Sequence, residues 1–415
     1  MTSLTSTSAR ALPASAPPAG RAVFALLGRL RHGTLDLRLP DGSAAHFGSH
    51  VDGEPRAVLR LRNWKPCAQA LRKGDIGFAE SFIAGDWDSP DLPALLGLLI
   101  ANRDDIEAII YGHWWGALLY RARHLLQRNS RRGSRRNIHA HYDLGNAFYA
   151  LWLDPSMNYS SAWFEGERRG DEADDLVAAQ QAKMRRALAE CAVQPGQRVL
   201  EIGCGWGALA ELCAREAGAR VTGVTLSTEQ LAFARARLDK AGLPGDLRLQ
   251  DYRELARTEG VGGFDAVVSI EMFEAVGREY WPSFFETVRR QLKPGGRACV
   301  QSITIRDDLF DRYVGSTDFI QQYIFPGGLL PSCREFRAAA AKAGLAVATE
   351  LDFGLDYAET VRRWRASFRA AETAVRGLGF DTRFIRTWDF YLAYCEAAFA
   401  AGNTSVVQFT LQHAA

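Results

Sequence analysis

The chain has 415 residues, about three times an ordinary single domain, so two or three domains are expected. Hydrophobic residues make up 47% and charged residues 24%, the balance of a folded water-soluble protein, which excludes a wholly disordered or collagen-like chain. The net charge is only +2, yet residues 1–140 hold 19 Lys and Arg against 12 Asp and Glu, a local +7 that leaves −5 for the remainder.

Residues 1–21 are rich in Ala, Ser, Thr and Pro and lack the apolar core of a signal peptide, so they read as a disordered tail. Residues 22–120 read as a small α+β domain. Thr34–Leu39 alternates polar and apolar side chains, Pro40-Asp41-Gly42 turns the chain, and Val58–Leu61 looks like a partner strand. Residues 106–128 carry apolar side chains at helical spacing, including Ile110, Trp114, Leu118 and Leu125. They run into a basic linker, 121–137, that holds Arg121, Arg123, Arg128, Arg131, Arg132, Arg135 and Arg136. Two readings stay open: an interdomain helix with a solvated linker, or an interfacial helix whose flank meets an anionic membrane surface. No run of about 18 apolar residues exists to span a bilayer. The seven cysteines show no metal-ligand spacing, so the chain reads as reduced and cytosolic, with no metal site.

From residue 198 onward, strands and helices alternate. Strands are expected at Arg198–Ile202, Val221–Leu226, Leu247–Leu249, Phe264–Ile270 and Arg297–Ile303, with helices at Trp206–Arg215 and Thr228–Lys240. That rhythm predicts βαβ units, a parallel sheet, and a ligand beyond the carboxyl ends of the strands. The first strand runs into Gly203-Cys204-Gly205-Trp206-Gly207 behind the acidic Glu201. Glycines there permit positive φ and close approach of the backbone to a ligand. The spacing is not G-x-G-x-x-G, and Trp206 would obstruct a pyrophosphate, so the loop resembles the S-adenosylmethionine loop of class I methyltransferases. The second strand ends Thr225-Leu226-Ser227 without an acid, which leaves Gln230 to reach the ribose, and Asp251-Tyr252 falls where the adenine is held. After the fourth strand the chain reads Ser269-Ile270-Glu271-Met272-Phe273-Glu274 and lacks an Asn/Asp-Pro-Pro-aromatic motif, so a nucleic-acid base is not the expected target.

Several separated motifs carry a more specific resemblance. They are His141-Tyr142-Asp143-Leu144-Gly145-Asn146, Leu151–Ser160, the glycine loop, Val224–Ser227, Met272-Phe273-Glu274 and Tyr323–Gly328. Together the chain resembles the cyclopropane-fatty-acyl-phospholipid synthase and mycolic acid cyclopropane synthase family, over roughly residues 138–412. The resemblance implies an α/β doubly wound class I methyltransferase domain (138–415) behind an N-terminal lipid-engaging domain. It also implies S-adenosylmethionine as methyl donor, unsaturated phospholipid acyl chains as substrate, and a peripheral place on the inner face of the membrane. A homodimer is left open.

The expected cofactor residues are Tyr159, Ser160, Glu201, Gly203, Gly205, Gly207, Thr225, Leu226, Gln230, Asp251 and Tyr252. The family binds bicarbonate as the base that removes the final proton. The resemblance places Glu274, Tyr357 and the Ile303 backbone in that cradle, and Cys395 matches a cysteine of the family's last helix, for which core packing is the simpler role. Two positions depart from the family: Ser161 stands where a cysteine is usual, and Gln301 where a histidine is usual. Both can donate hydrogen bonds to bicarbonate. The resemblance implies a methylene carbon added across the cis double bond to give a cyclopropane ring; a changed base would permit a methyl- or methylene-branched product instead. The rival of another class is a non-catalytic lipid-binding protein on the same fold, which those two departures favour and Glu274 and Tyr357 oppose.

Overall fold

A computed structural model describes residues 15–48, 53–103, 144–165 and 175–414, with Pro13 and Val51. The helix expected at 106–128, the basic linker, and His141 to Asp143 lie outside the described residues. The rest gathers into two compact units, one of residues up to 103 with 379–401, the other of 144–378 with 402–414.

The first unit holds a four-stranded sheet in the order β2-β1-β3-β4. Its strands are β1 (Thr34–Arg38), β2 (Ala44–Gly48), β3 (Arg56–Leu61) and β4 (Trp87–Asp88). The alternation read at Thr34–Leu39 is real, with Leu35 and Leu37 buried and Asp36 and Arg38 exposed. Its partner β3 runs parallel to it, and β2 is the antiparallel hairpin neighbour. Helices α1 (Pro18–Leu27), α2 (Lys65–Ile83) and α3 (Leu92–Ala101) complete the front of the chain. The expected boundaries need two corrections: helix α1 begins at Pro18, inside the stretch 1–21 expected as a tail, and residues 379–401 group with the first unit instead of the second. The long helix Thr382–Ala400 packs with α2 and α3, because its buried face of Ile385, Phe390 and Ala393 meets their apolar residues rather than the large sheet. Arg386 ties it down through bonds to the carbonyls of Phe82 (2.6 Å) and Trp87 (3.0 Å).

The second unit is built on a seven-stranded sheet, β10-β11-β9-β8-β5-β6-β7. Strands β5 (Arg198–Ile202), β6 (Arg220–Thr225), β7 (Asp246–Leu249), β8 (Phe264–Ile270) and β9 (Leu292–Ile305) are parallel. Strands β10 (Leu345–Asp352) and β11 (Thr404–His413) add antiparallel pairs on the β9 side. On one face lie α4 (Asp175–Glu190), α5 (Ala208–Glu216) and α6 (Thr228–Ala241), around Met184, Leu209, Leu231 and Cys299. On the other lie α7 (Trp281–Gln291) and α8 (Cys333–Lys342), around Phe284, Phe285 and Phe336. Helix α9 (Gly354–Ala370) packs beside β11. The sheet is therefore doubly wound as expected. From β5 the chain steps outward to β6 and β7, then returns to β8 on the other side, so β5 and β8 flank the switch point where such sheets bind ligands.

Candidate active site

A cavity opens at the ends of β5, β6 and β8. Its floor is backbone. Gly203, Gly205 and Gly207 all have positive φ (88°, 49° and 81°), which lets the loop turn sharply between β5 and α5. The amides of Gly203 and Cys204 both donate to the Val224 carbonyl, at 2.9 and 3.0 Å, which anchors the loop to β6. A Cβ on Gly203 would lie 2.8 Å from the Met272 side chain. Gly203 and Gly205 line the cavity, whereas Gly207 caps α5 and packs against Ala234.

Of the other expected cofactor residues, Tyr159, Ser160, Glu201, Thr225, Leu226, Gln230 and Tyr252 also line the cavity. The Thr225 hydroxyl donates to the Gln230 side-chain carbonyl at 2.9 Å, and Ser227 caps α6 through the Gln230 amide. Asp251 is the exception. It is buried on the Arg253 guanidinium (2.8 and 2.5 Å) and caps the following turn, so it organises the loop while Tyr252 faces the cavity. One oxygen of Glu201 and the Tyr252 hydroxyl are buried without any hydrogen-bond partner, although buried polar groups are rarely left so. Burial holds the Glu201 carboxyl well above the usual range. An orphaned acceptor and a phenol in a glycine-floored pocket fit the cationic amino-acid end and the adenosine end of S-adenosylmethionine.

The wall beside this floor is made of side chains. Glu271, just past β8, lines the cavity and takes φ +49°, a left-handed conformation uncommon for a residue with a Cβ. Three donors converge on its carboxylate, and a cation stands nearby. The Ser161 amide donates at 2.9 Å, Gln301 Nε2 from β9 at 2.7 Å, and the Tyr357 hydroxyl from α9 at 2.6 Å. From α4, the ammonium of Lys183 acts on it through space. Burial raises the Glu271 carboxyl, and Lys183, Tyr357, Ser161 and Gln301 oppose that rise. The Gln301 amide is oriented in turn. Its oxygen accepts from Gln408 Nε2 at 3.0 Å, and Gln408 Oε1 accepts from Arg186 at 2.6 Å, so only the Gln301 NH2 can face Glu271.

Glu274, one turn on, is placed differently. Its carboxylate accepts from the Ile303 amide, its other oxygen is buried without a partner, and Glu271 is a like charge beside it. Burial and that neighbour push its carboxyl up to about 8. The expected cradle is thus divided. Ile303 serves Glu274, while Tyr357, Gln301 and Ser161 serve Glu271, and Ser161 does so by its amide because its hydroxyl donates to the Ala162 carbonyl at 2.8 Å. The donors expected to hold bicarbonate already hold the chain's own carboxylates. Cys395 lies on the helix Thr382–Ala400 of the first unit.

Sequence reasoning missed Glu271, Lys183 and Gln408. One signal for Lys183 was present: Ala179, Lys183 and Ala187 recur at a spacing of four, so the lysine falls on the buried face of α4.

Residues 129–409 match the family model described as mycolic acid cyclopropane synthetase. The chain is 38% identical over 407 residues to the tuberculostearic acid methyltransferase UfaA1 of Mycobacterium tuberculosis, covering 95% of this chain and 92% of that one. It is 32% identical over 372 residues to the cyclopropane-fatty-acyl-phospholipid synthase of Escherichia coli strain K12, covering 89% and 92%. Among solved structures, mycolic acid cyclopropane synthase CmaA1 complexed with SAH and CTAB aligns with a TM-score of 0.59 at 31% identity, over 67% of this chain and 98% of that one.

Proposed function

The chain belongs to the mycolic acid cyclopropane synthetase family of S-adenosylmethionine-dependent methyltransferases, and within it we propose a fatty-acyl C-methyltransferase whose proton acceptor is its own Glu271. The observation that carries this reading is the convergence of Ser161, Gln301 and Tyr357 on the Glu271 carboxylate at the cavity wall. The substrate we assign is a cis-unsaturated acyl chain of a membrane phospholipid. Likeness across most of a phospholipid-named relative supports it. Among the described residues no helix is long and apolar enough to cross a membrane; the arginine-rich sequence 121–136 is the segment we assign to an anionic lipid surface.

When bound, S-adenosylmethionine supplies a sulfonium methyl, which the alkene π pair takes while the broken bond's electrons stay on sulfur. The adjacent chain carbon is left cationic, and the chain's task is then to remove one proton without trapping that cation. A carboxylate held by three donors keeps its charge and its direction, and the donors lower its nucleophilicity toward the cation. Loss of a methyl proton to Glu271 lets the C–H pair close a ring. If a hydride first shifts from the methyl-bearing carbon to the cation, the same loss forms a methylene branch.

We assign the branch. The 38% identity to a relative named as a methyltransferase spans 95% of this chain, and Ser161 and Gln301 replace the residues usual in ring-forming enzymes. The ring is the second reading, favoured by the likeness to the E. coli synthase. Ring and methylene products have equal mass, so the test is NMR of lipid extracted after incubating enzyme, 13C-methyl donor and unsaturated phospholipid vesicles. Label in an exocyclic methylene is expected. Label in a ring carbon sinks the branch, and no label in lipid sinks the whole reading.

A further inference from the structure

Lys183 is fully buried, and nothing in the reaction described above uses it. Its ammonium makes a single hydrogen bond, to the Ser160 hydroxyl oxygen, although an ammonium carries three donors. Two carboxylates act on it without bonding it, Glu271 and Asp154. An isolated buried ammonium is costly, so its retention needs a reason in charge or geometry. Both reasons lie within one residue of the cavity. Ser160 lines the cavity, and its oxygen accepts from Lys183, so its own hydrogen is left to donate inward. Neighbouring Gln180 fixes the Ser160 backbone, donating to its carbonyl at 2.9 Å.

We propose that Lys183 is a positioning residue for methyl transfer: one buried ammonium orients the Ser160 hydroxyl as a donor to the cofactor and supplies the fixed counter-charge that keeps Glu271 an anion. The inference rests on the reading of Glu271 as the base. The titratable groups that face Glu271 are Lys183 from α4, the neutral phenol of Tyr357 from α9, and Glu274 from its own loop, while β9 and β11 offer only the amides Gln301 and Gln408. Lys183 is therefore the one full positive charge that balances Glu271 there among the described residues. Burial lowers the Lys183 ammonium to about 8, and the Glu271 and Asp154 carboxylates oppose that drop.

The sign follows. Removing the cation raises the Glu271 pKa, so the acid limb of the rate profile moves to higher pH. Lys183→Met keeps length and removes charge. In the full-length protein it should weaken S-adenosylmethionine binding by about tenfold in calorimetry and move the acid limb of kcat up by about one pH unit, roughly the effect of one charge-assisted bond. Lys183→Ala should regain turnover with added propylammonium, which refills the site with a cation. A K183M enzyme with wild-type cofactor affinity and an unmoved limb overturns the proposal. Should K183M fail to fold, Lys183→Arg must keep the wild-type limb and Ser160→Ala must weaken cofactor binding without moving it, and the opposite outcome in either overturns the proposal. Glu271→Gln separates the two readings. If it retains full turnover, the base assignment fails whatever Lys183 does. If it is inactive while K183M shows no shift, Lys183 alone is refuted.

Discussion

The floor of the cavity and its wall sit at the ends of adjacent strands, β5 and β8, but are built from different materials. The floor is backbone: two glycines at positive φ and two amides on one carbonyl. Such a surface accepts a ligand by shape and leaves Glu201 and Tyr252 unpartnered for it. The wall is side chains, with β9, α9, α4 and the segment before α4 all aimed at one carboxylate. The floor offers backbone, whereas the wall gathers three hydrogen-bond donors and an ammonium around one buried carboxylate. The same contrast recurs within three residues of the wall, because Glu271 has three donors and a cation, while Glu274 accepts from the Ile303 amide, leaves its other oxygen without a partner and faces a like charge.

Changing floor and wall separately should therefore produce different losses. The largest belongs to Glu271→Gln, which keeps the shape and removes the base. Turnover should fall by about 10²–10⁴-fold, the usual contribution of a general base, while calorimetry still shows cofactor binding. If binding is lost with turnover, floor and wall are not separable. Tyr357→Phe removes one donor from the carboxylate. A hydrogen bond to a charged group is worth about 1.5–3 kcal/mol, so the acid limb should rise by one to two pH units, approximately the same energy. An unmoved limb would leave Tyr357 as packing only.

On the floor, Gly203→Ala meets both a positive φ and Met272 at 2.8 Å. Strain of about 1–3 kcal/mol should weaken S-adenosylmethionine binding by roughly tenfold and leave the shape of the pH profile alone. For Glu274 the expected effect falls on stability, leaving turnover aside. Its carboxyl is raised from 4.5 to about 8, so the folded state holds the proton that the unfolded chain gives up. Stability is accordingly greatest below 4.5 and declines as pH rises toward 8, at up to about 1.4 kcal/mol per pH unit from this group. Glu274→Gln should flatten that slope in denaturant titrations at several pH values, and an unchanged slope would show that Glu274 is ionised when folded.

The floor was legible in the sequence because its signals are local. A glycine spacing, an acid two residues before it, and the residues ending β6 predict a backbone turn from a few adjacent letters. The alternation of strands and helices likewise located β5 to β9 closely, since each element's pattern lies within its own residues. Strands β10 and β11 escaped because β11 pairs with β9 and β10 with β11, both across long stretches of chain, and the grouping of the helix Thr382–Ala400 with the first unit escaped because its contacts with α2 and α3 lie about 300 residues away. The wall was half legible. Tyr357, Gln301 and Ser161 were identified by resemblance, but their shared partner was taken to be an outside anion. Glu271 had no periodic or motif signal of its own, and its importance appears only when residues 110, 30 and 86 positions away converge on it. Gln408 is similar, since its role depends on standing opposite Gln301 in the β9–β11 register.

The central claim is that a carboxylate of the chain stands where the family uses a bound ion. Its most direct test is turnover in bicarbonate-depleted buffer, with and without bicarbonate restored, for wild type and Glu271→Ala. Wild type should be indifferent to the ion, and Glu271→Ala should be inactive until bicarbonate or formate is supplied. A wild-type enzyme that stops on depletion and restarts with bicarbonate would contradict the account.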